Sequence, residues 1–132
     1  MPLFDKHFTV EEANALLPEL RRIIADIRTD IEGFERDKEG RQKSLQRIDT
    51  NGGGKKLEEI FDISQTIRDR VAEIGEMGVD VKDPRRGLLD FPAMHHGEEI
   101  LLCWLVEEPS VRYWHTLEAG FTGRRSVDEL EG

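Results

Sequence analysis

The chain has 132 residues, enough for one domain with a real core and too few for two. Its net charge of −9 disfavours a nucleic-acid partner, because phosphate binding needs a surplus of Lys and Arg. No N-terminal run resembles a signal peptide and none approaches the roughly 20 apolar residues of a membrane span. The single cysteine, Cys103, cannot form an internal disulfide, which fits a reducing cytoplasm.

Thr9-Val10-Glu11-Glu12 is a capping box, in which the Thr hydroxyl accepts the Glu amide and the Glu carboxylate reaches back to the Thr amide. Phe8 and Ala13 flank it where a hydrophobic staple would close. Pro18 lacks an amide donor and pushes Leu17 away from helical angles, which predicts a short capped helix over Val10–Leu16, a bend, and a second helix beginning at Pro18. From Leu20 the positions Leu20, Ile24, Ile27, Ile31, Phe34, Lys38, Arg41, Leu45 and Ile48 alternate by four and three, a heptad seam with two charges in it. Asn51-Gly52-Gly53-Gly54 is the clearest turn, and Leu57, Ile60, Ser64, Ile67, Val71 and Ile74 repeat the alternation beyond it. Folding there sets Ile31 opposite Ile74, Phe34 opposite Val71, and polar Arg41 opposite polar Ser64. A long antiparallel, coiled-coil-like helical hairpin is therefore expected.

Past Met77 the period changes to two. Val79–Lys82 alternates, residues 83–87 turn, Leu88–Ala93 reads as a strand, residues 94–97 turn, and Glu99–Val106 is an apolar run of strand length. Residues 107–110 turn again before a fourth strand over Val111–Thr116. Both parities of Glu99–Val106 are apolar, so that strand should be central and covered on two sides, with the helices as the expected cover. Pro92 should lie where its strand pairs on one side only, or near the strand's end. The expectation is an α+β single domain over residues 1–132: a helical part at 8–77 with its turn at 51–54, a three- to four-stranded antiparallel meander with a C-terminal loop at 78–125, and a frayed tail at 126–132.

Closing a simple hairpin at residues 107–110 sets Trp104 opposite Tyr113, Leu102 opposite His115 and Cys103 opposite Trp114. His115 then ends a strand, with Glu118 just beyond, and Gly120 and Gly123 let the backbone return Arg124 to the same place. Asp90, His115, Glu118 and Arg124 are the candidate ligand-binding residues, suited to holding a small anion or to acid–base work. The simpler reading is a Glu118–Arg124 ion pair pinning the loop, with His115 a hydrogen-bonded core residue. Asp90 stands in an apolar strand, either facing solvent or paired with Lys82, Arg85 or Arg86. His95, His96, Cys103 and His115 are zinc-capable types, but their spacing matches no closed structural site, so no metal set is assigned. Cys103 alone in an apolar strand reads as a small inert hydrophobe.

The segments Phe8–Pro18, Gly78–Asp83, Gly87–Pro92, Leu101–Trp104, Trp114-His115 and Gly120–Arg125 together resemble a family of small prokaryotic proteins, a domain of unknown function (number 2203), over nearly the whole chain. The resemblance implies no activity, substrate or cofactor. It does imply recurring positions at Asp90, Cys103, Trp114, His115, Glu118, Gly120, Phe121, Gly123 and Arg124, whereas the His95-His96 pair departs from the pattern. The leading expectation is a non-enzymatic cytoplasmic binding or assembly module. It would self-associate or take a helical partner through its hairpin, with neither nucleic acid nor membrane as partner. The alternative is a small-molecule or metal-binding protein, or an enzyme, with its site around His115, Glu118 and Arg124.

Overall fold

A computed structural model describes the backbone of residues 2–45 and 53–130, with the side chains of 2–36 and 64–130. The capping box forms: the Thr9 amide donates to Glu12 Oε1 and the Glu12 amide to Thr9 Oγ1, each at 3.0 Å. Phe8 and Ala13 beside it are buried, and the Phe8 ring meets Phe91 edge-on at 5.5 Å.

The first helix, α1, spans Val10–Leu45 without interruption, so the bend expected at Pro18 is absent. The missing amide and the ring clash cost about 3 kcal/mol in a helix interior. Against that, a continuous helix keeps Ala13, Leu17, Leu20, Ile23, Ile24 and Ile27 buried on one face, at about 1.5–3 kcal/mol for each large side chain. Burial wins, and Pro18 itself is exposed. The second helix, α2, spans Gly53–Glu76 and packs on α1. Ile67, Val71 and Ile74 join the core there, and Arg70 bonds to Asp30 at 2.9 Å and Asp26 at 3.3 Å. The expected turn residues Asn51 and Gly52, and the side chains of the seam from Lys38 to Ile60, lie outside the described residues. Gly78, with φ +88°, lets the chain leave α2 for the sheet.

The sheet has five strands where three or four were expected: β1 (Asp80–Asp83), β2 (Leu88–His95), β3 (Glu98–Leu105), β4 (Tyr113–Thr116) and β5 (Arg125–Ser126). All neighbours are antiparallel and in chain order. The extra strand straddles the end of the expected C-terminal loop and the start of the tail expected to fray. Ser126 pairs with Tyr113, the Trp114 indole donates to the Ser126 carbonyl at 3.0 Å, and Val127 and Leu130 pack on the core. The β2–β3 turn is narrower than residues 94–97: only His96 and Gly97 lie in it, both with positive φ, as a tight two-residue turn requires. Pro92 lies beyond the β1 pairing, so β3 is the one strand that pairs with it, while the Pro92 carbonyl also accepts from the Phe8 amide of the N-terminal segment at 2.7 Å.

The β3–β4 register differs from expectation, and the difference changes the chemistry. Leu101 pairs with His115, Leu102 with Trp114 and Cys103 with Tyr113, one residue away from the simple hairpin. The connection runs through residues 106–112, longer than the expected four-residue turn. A one-residue slip moves every side chain to the other face. Trp114 therefore joins the helix-side core with Leu89, Phe91, Leu102 and Trp104, while His115 joins Asp90 and Cys103 on the opposite face. The helices pack with the first of these faces, and residues 117–121 after β4 lie over the second.

Candidate functional site

Strand alternation and register bring the polar groups together. Asp90 on β2 stands opposite Cys103 on β3, and His115 on β4 is one step along the same face. His115 Nε2 lies 3.2 Å from Asp90 Oδ2, with side-chain exposures of 4% and 2%. Ligand-type atoms of Asp90, Cys103 and His115 all fall within 4.8 Å of one another. They form part of the lining of a cavity of about 180 Å³, together with Lys82, Leu101, Leu117 and Phe121.

The hydrogen bonds constrain the protons. His115 Nδ1 lies 2.7 Å from the Thr116 carbonyl, which can only accept, so Nδ1 carries a hydrogen. Nε2 then faces the Asp90 carboxyl, and one proton, or a cation, must lie between two groups that otherwise present lone pairs to each other. Burial pushes the Asp90 carboxyl up, with His115, Cys103 and Lys82 drawing it back down. Its second oxygen, Oδ1, is buried with no hydrogen-bond partner. The Cys103 thiol is pushed up to about 12 by burial and then by the Asp90 charge, against a smaller pull from Arg124. Unaided, Cys103 is not a nucleophile at neutral pH.

The donor set fits a zinc-like ion. Around tetrahedral zinc, neighbouring N, O and S ligands lie roughly 3.3–3.6 Å apart. The His115–Asp90 distance of 3.2 Å is already close to that, and since no pair of these atoms is more than 4.8 Å apart, side-chain movement of about an ångström closes the set. The Nδ1–H donated to a backbone carbonyl is the usual outer-shell arrangement that holds a metal-binding imidazole. Charge fits as well: a divalent cation with one thiolate, one carboxylate and one neutral imidazole sums to zero, which suits a buried site.

The other expected site residues are placed differently. Arg124 does not meet Glu118. Its guanidinium lies over the Tyr113 ring at 4.1 Å and Phe121 at 4.8 Å, and Nη2 donates to Glu108 at 2.6 Å and the Cys103 carbonyl at 3.2 Å. Glu118 is exposed and joins neither His115 nor Arg124. Of the partners expected for Asp90, only Lys82 is near; Arg85 pairs with Glu35, and Arg86 lies over Phe121. His95 and His96 contact each other at the β2–β3 turn, with His95 5.9 Å from Trp114 on the helix-side face, away from Cys103 and His115. Glu108 had no signal in the sequence, since nothing about a Glu before Pro109 names an Arg sixteen residues on as its partner.

The chain belongs to the family described as Uncharacterized conserved protein (DUF2203), which residues 6–127 match. No curated protein and no solved structure matches it. Among the described residues, no helix is long and apolar enough to cross a membrane.

Proposed function

We propose that this protein binds a divalent transition-metal ion of the zinc class through Asp90, Cys103 and His115. The observation that carries the reading is the convergence of three buried ligand types within 4.8 Å, one of them holding a buried carboxylate oxygen without a partner. Thiolate and imidazole favour zinc-like ions over magnesium or calcium, which prefer all-oxygen sites. Three protein ligands beside a cavity match zinc sites that keep one position open, whereas closed structural sites use four.

Cobalt(II) tests this directly. Chelator-treated protein should bind one cobalt per chain and develop a thiolate-to-cobalt charge-transfer band in the near ultraviolet. Cys103→Ser should retain the fold by circular dichroism and lose the band. Cobalt or zinc binding that is equally tight in wild type, Cys103→Ser and Asp90→Asn would overturn the assignment.

Self-association through the helices is a separate reading, supported by a different observation. Among the described side chains of α1 the fully buried positions end at Ile27, yet the helix continues to Leu45. Light scattering at high concentration decides it, because a monomer there removes this reading and leaves the metal site untouched.

A further inference from the structure

The cavity beside the three ligands has a chemistry of its own, and the ligand assigned to it below depends on the metal reading. A volume of about 180 Å³ holds about six waters at their liquid volume, so it admits a ligand of only a few heavy atoms. Its walls include Leu88, Leu101, Leu117 and Phe121, which suit a short alkyl group. Lys82 is the cation among its lining residues. The pairing of Asp80 with Asp90 puts Asp80 on the site face, and Lys82, at the irregularity between Val81 and Asp83, lines the cavity. The Lys82 side chain is 44% exposed, which places it at the mouth, and its partner there is the equally open Asp80 at 2.7 Å. The two other nearby cations are engaged: Arg124 by Glu108, and Arg86 over the Phe121 ring.

We infer that the open position on the metal takes a short aliphatic carboxylate, its oxygen on the ion, its alkyl group against Leu101, Leu117 and Phe121, and its remaining charge answered by Lys82. The unpartnered Oδ1 of Asp90, whose side chain is 2% exposed, can only accept, so it belongs to the ion and leaves the carboxylate to the open position and the apolar walls. The ion with Asp90, Cys103 and neutral His115 sums to zero, so a monoanion adds one negative charge, which the Lys82 ammonium answers by turning from Asp80 and leaving that open carboxylate to solvent. An exposed Lys–Asp pair is held weakly, so redirecting that ammonium is easy.

The test uses the cobalt-loaded full chain titrated with formate, acetate, propionate and butyrate, read in the visible d–d bands. Saturable perturbation is expected, tightening as the alkyl group lengthens until the cavity is full. Lys82→Ala should weaken carboxylate binding by about tenfold, the effect of one screened charge several ångströms away, while the charge-transfer band and cobalt affinity stay as in wild type. A charge-transfer band whose accompanying d–d bands ignore every carboxylate overturns the inference and leaves the metal reading intact. So does a Lys82→Ala variant that binds acetate like wild type. If no charge-transfer band forms, the metal reading fails first and this one with it.

Discussion

Asp90 and His115 are hydrogen-bonded across an intervening strand: β3 runs between them, yet Nε2 and Oδ2 are 3.2 Å apart. The pair reaches over the sheet face rather than along it, and the Thr116 carbonyl fixes which imidazole nitrogen faces the carboxyl. An amide at position 90 can donate to that nitrogen without burying a charge. Asp90→Asn should therefore melt, metal-free at pH 7, no lower than wild type, while losing metal binding. A fall in Tm beyond about 4 °C, equivalent to about 1 kcal/mol, would contradict this.

The pH dependence of the same comparison has a definite sign. The folded Asp90 carboxyl is raised by burial, so the native state holds its proton to higher pH than the unfolded chain does. Wild-type stability relative to Asp90→Asn should fall as pH rises from about 4, the unfolded value, through the raised folded value, and stay level above it. Urea unfolding of both proteins across that range measures it. A relative stability that rises with pH would show that His115 outweighs burial.

Cys103 should be inert until the ion arrives. With its thiol pushed up to about 12 and fully buried, metal-free protein should resist alkylation at pH 7.5 and react far more slowly than the unfolded chain. Zinc must displace the thiol proton and the one shared by Asp90 and His115, so about two protons per ion should be released. Calorimetry in buffers of different ionisation enthalpy counts them; a count of zero would mean that neither group is a ligand.

Glu108 ties together the C-terminal cover. Its carboxylate accepts from Arg124 at 2.6 Å and from the Leu105 amide at 2.7 Å, and its carbonyl accepts from the Trp104 indole at 2.9 Å. The Arg124 and Glu108 side chains are only 15% and 18% exposed. Glu108→Ala should cost about 2–4 kcal/mol in urea unfolding, mostly by leaving Arg124 buried without its counter-charge. Adding Arg124→Met should recover part of that loss, and strictly additive losses would rule out this account.

The N-terminal arm should be released by acid. Glu99 is held below the usual carboxylate range first by the Leu3 amide and further by His7 and the Phe4 amide, against some desolvation. For a lowered carboxyl the attachment is complete above the unfolded value of about 4.3 and is lost as pH falls through the lower folded value. Acid-active proteases should cut residues 2–8 of wild type increasingly below about pH 4 and cut Glu99→Gln at any acidic pH. Equal resistance of the two proteins would refute it.

Local features were legible in the sequence and distant ones were not. The capping box and the two-sided apolar β3 each follow from neighbouring residues, and each forms as expected. Pro18 misled because a local helix breaker was weighed without the apolar face it would interrupt. Asp90, His115 and Arg124 could be singled out by type, but their grouping hung on the β3–β4 register, and that on a loop length no short motif specifies. Once the loop is longer by one pairing step, His115 turns toward Cys103 and Glu118 is left outside.

The two faces of the sheet are defended unequally. One carries two helices, whereas the other carries a short C-terminal stretch fastened by a two-residue β5 and by Arg124. Partial unfolding should therefore begin at that stretch, with β4–β5 amides exchanging hydrogen well before those of β2–β3. An ion could then reach the buried ligands during such brief local openings, so loading would be slow, governed by the opening rate and not by ion concentration.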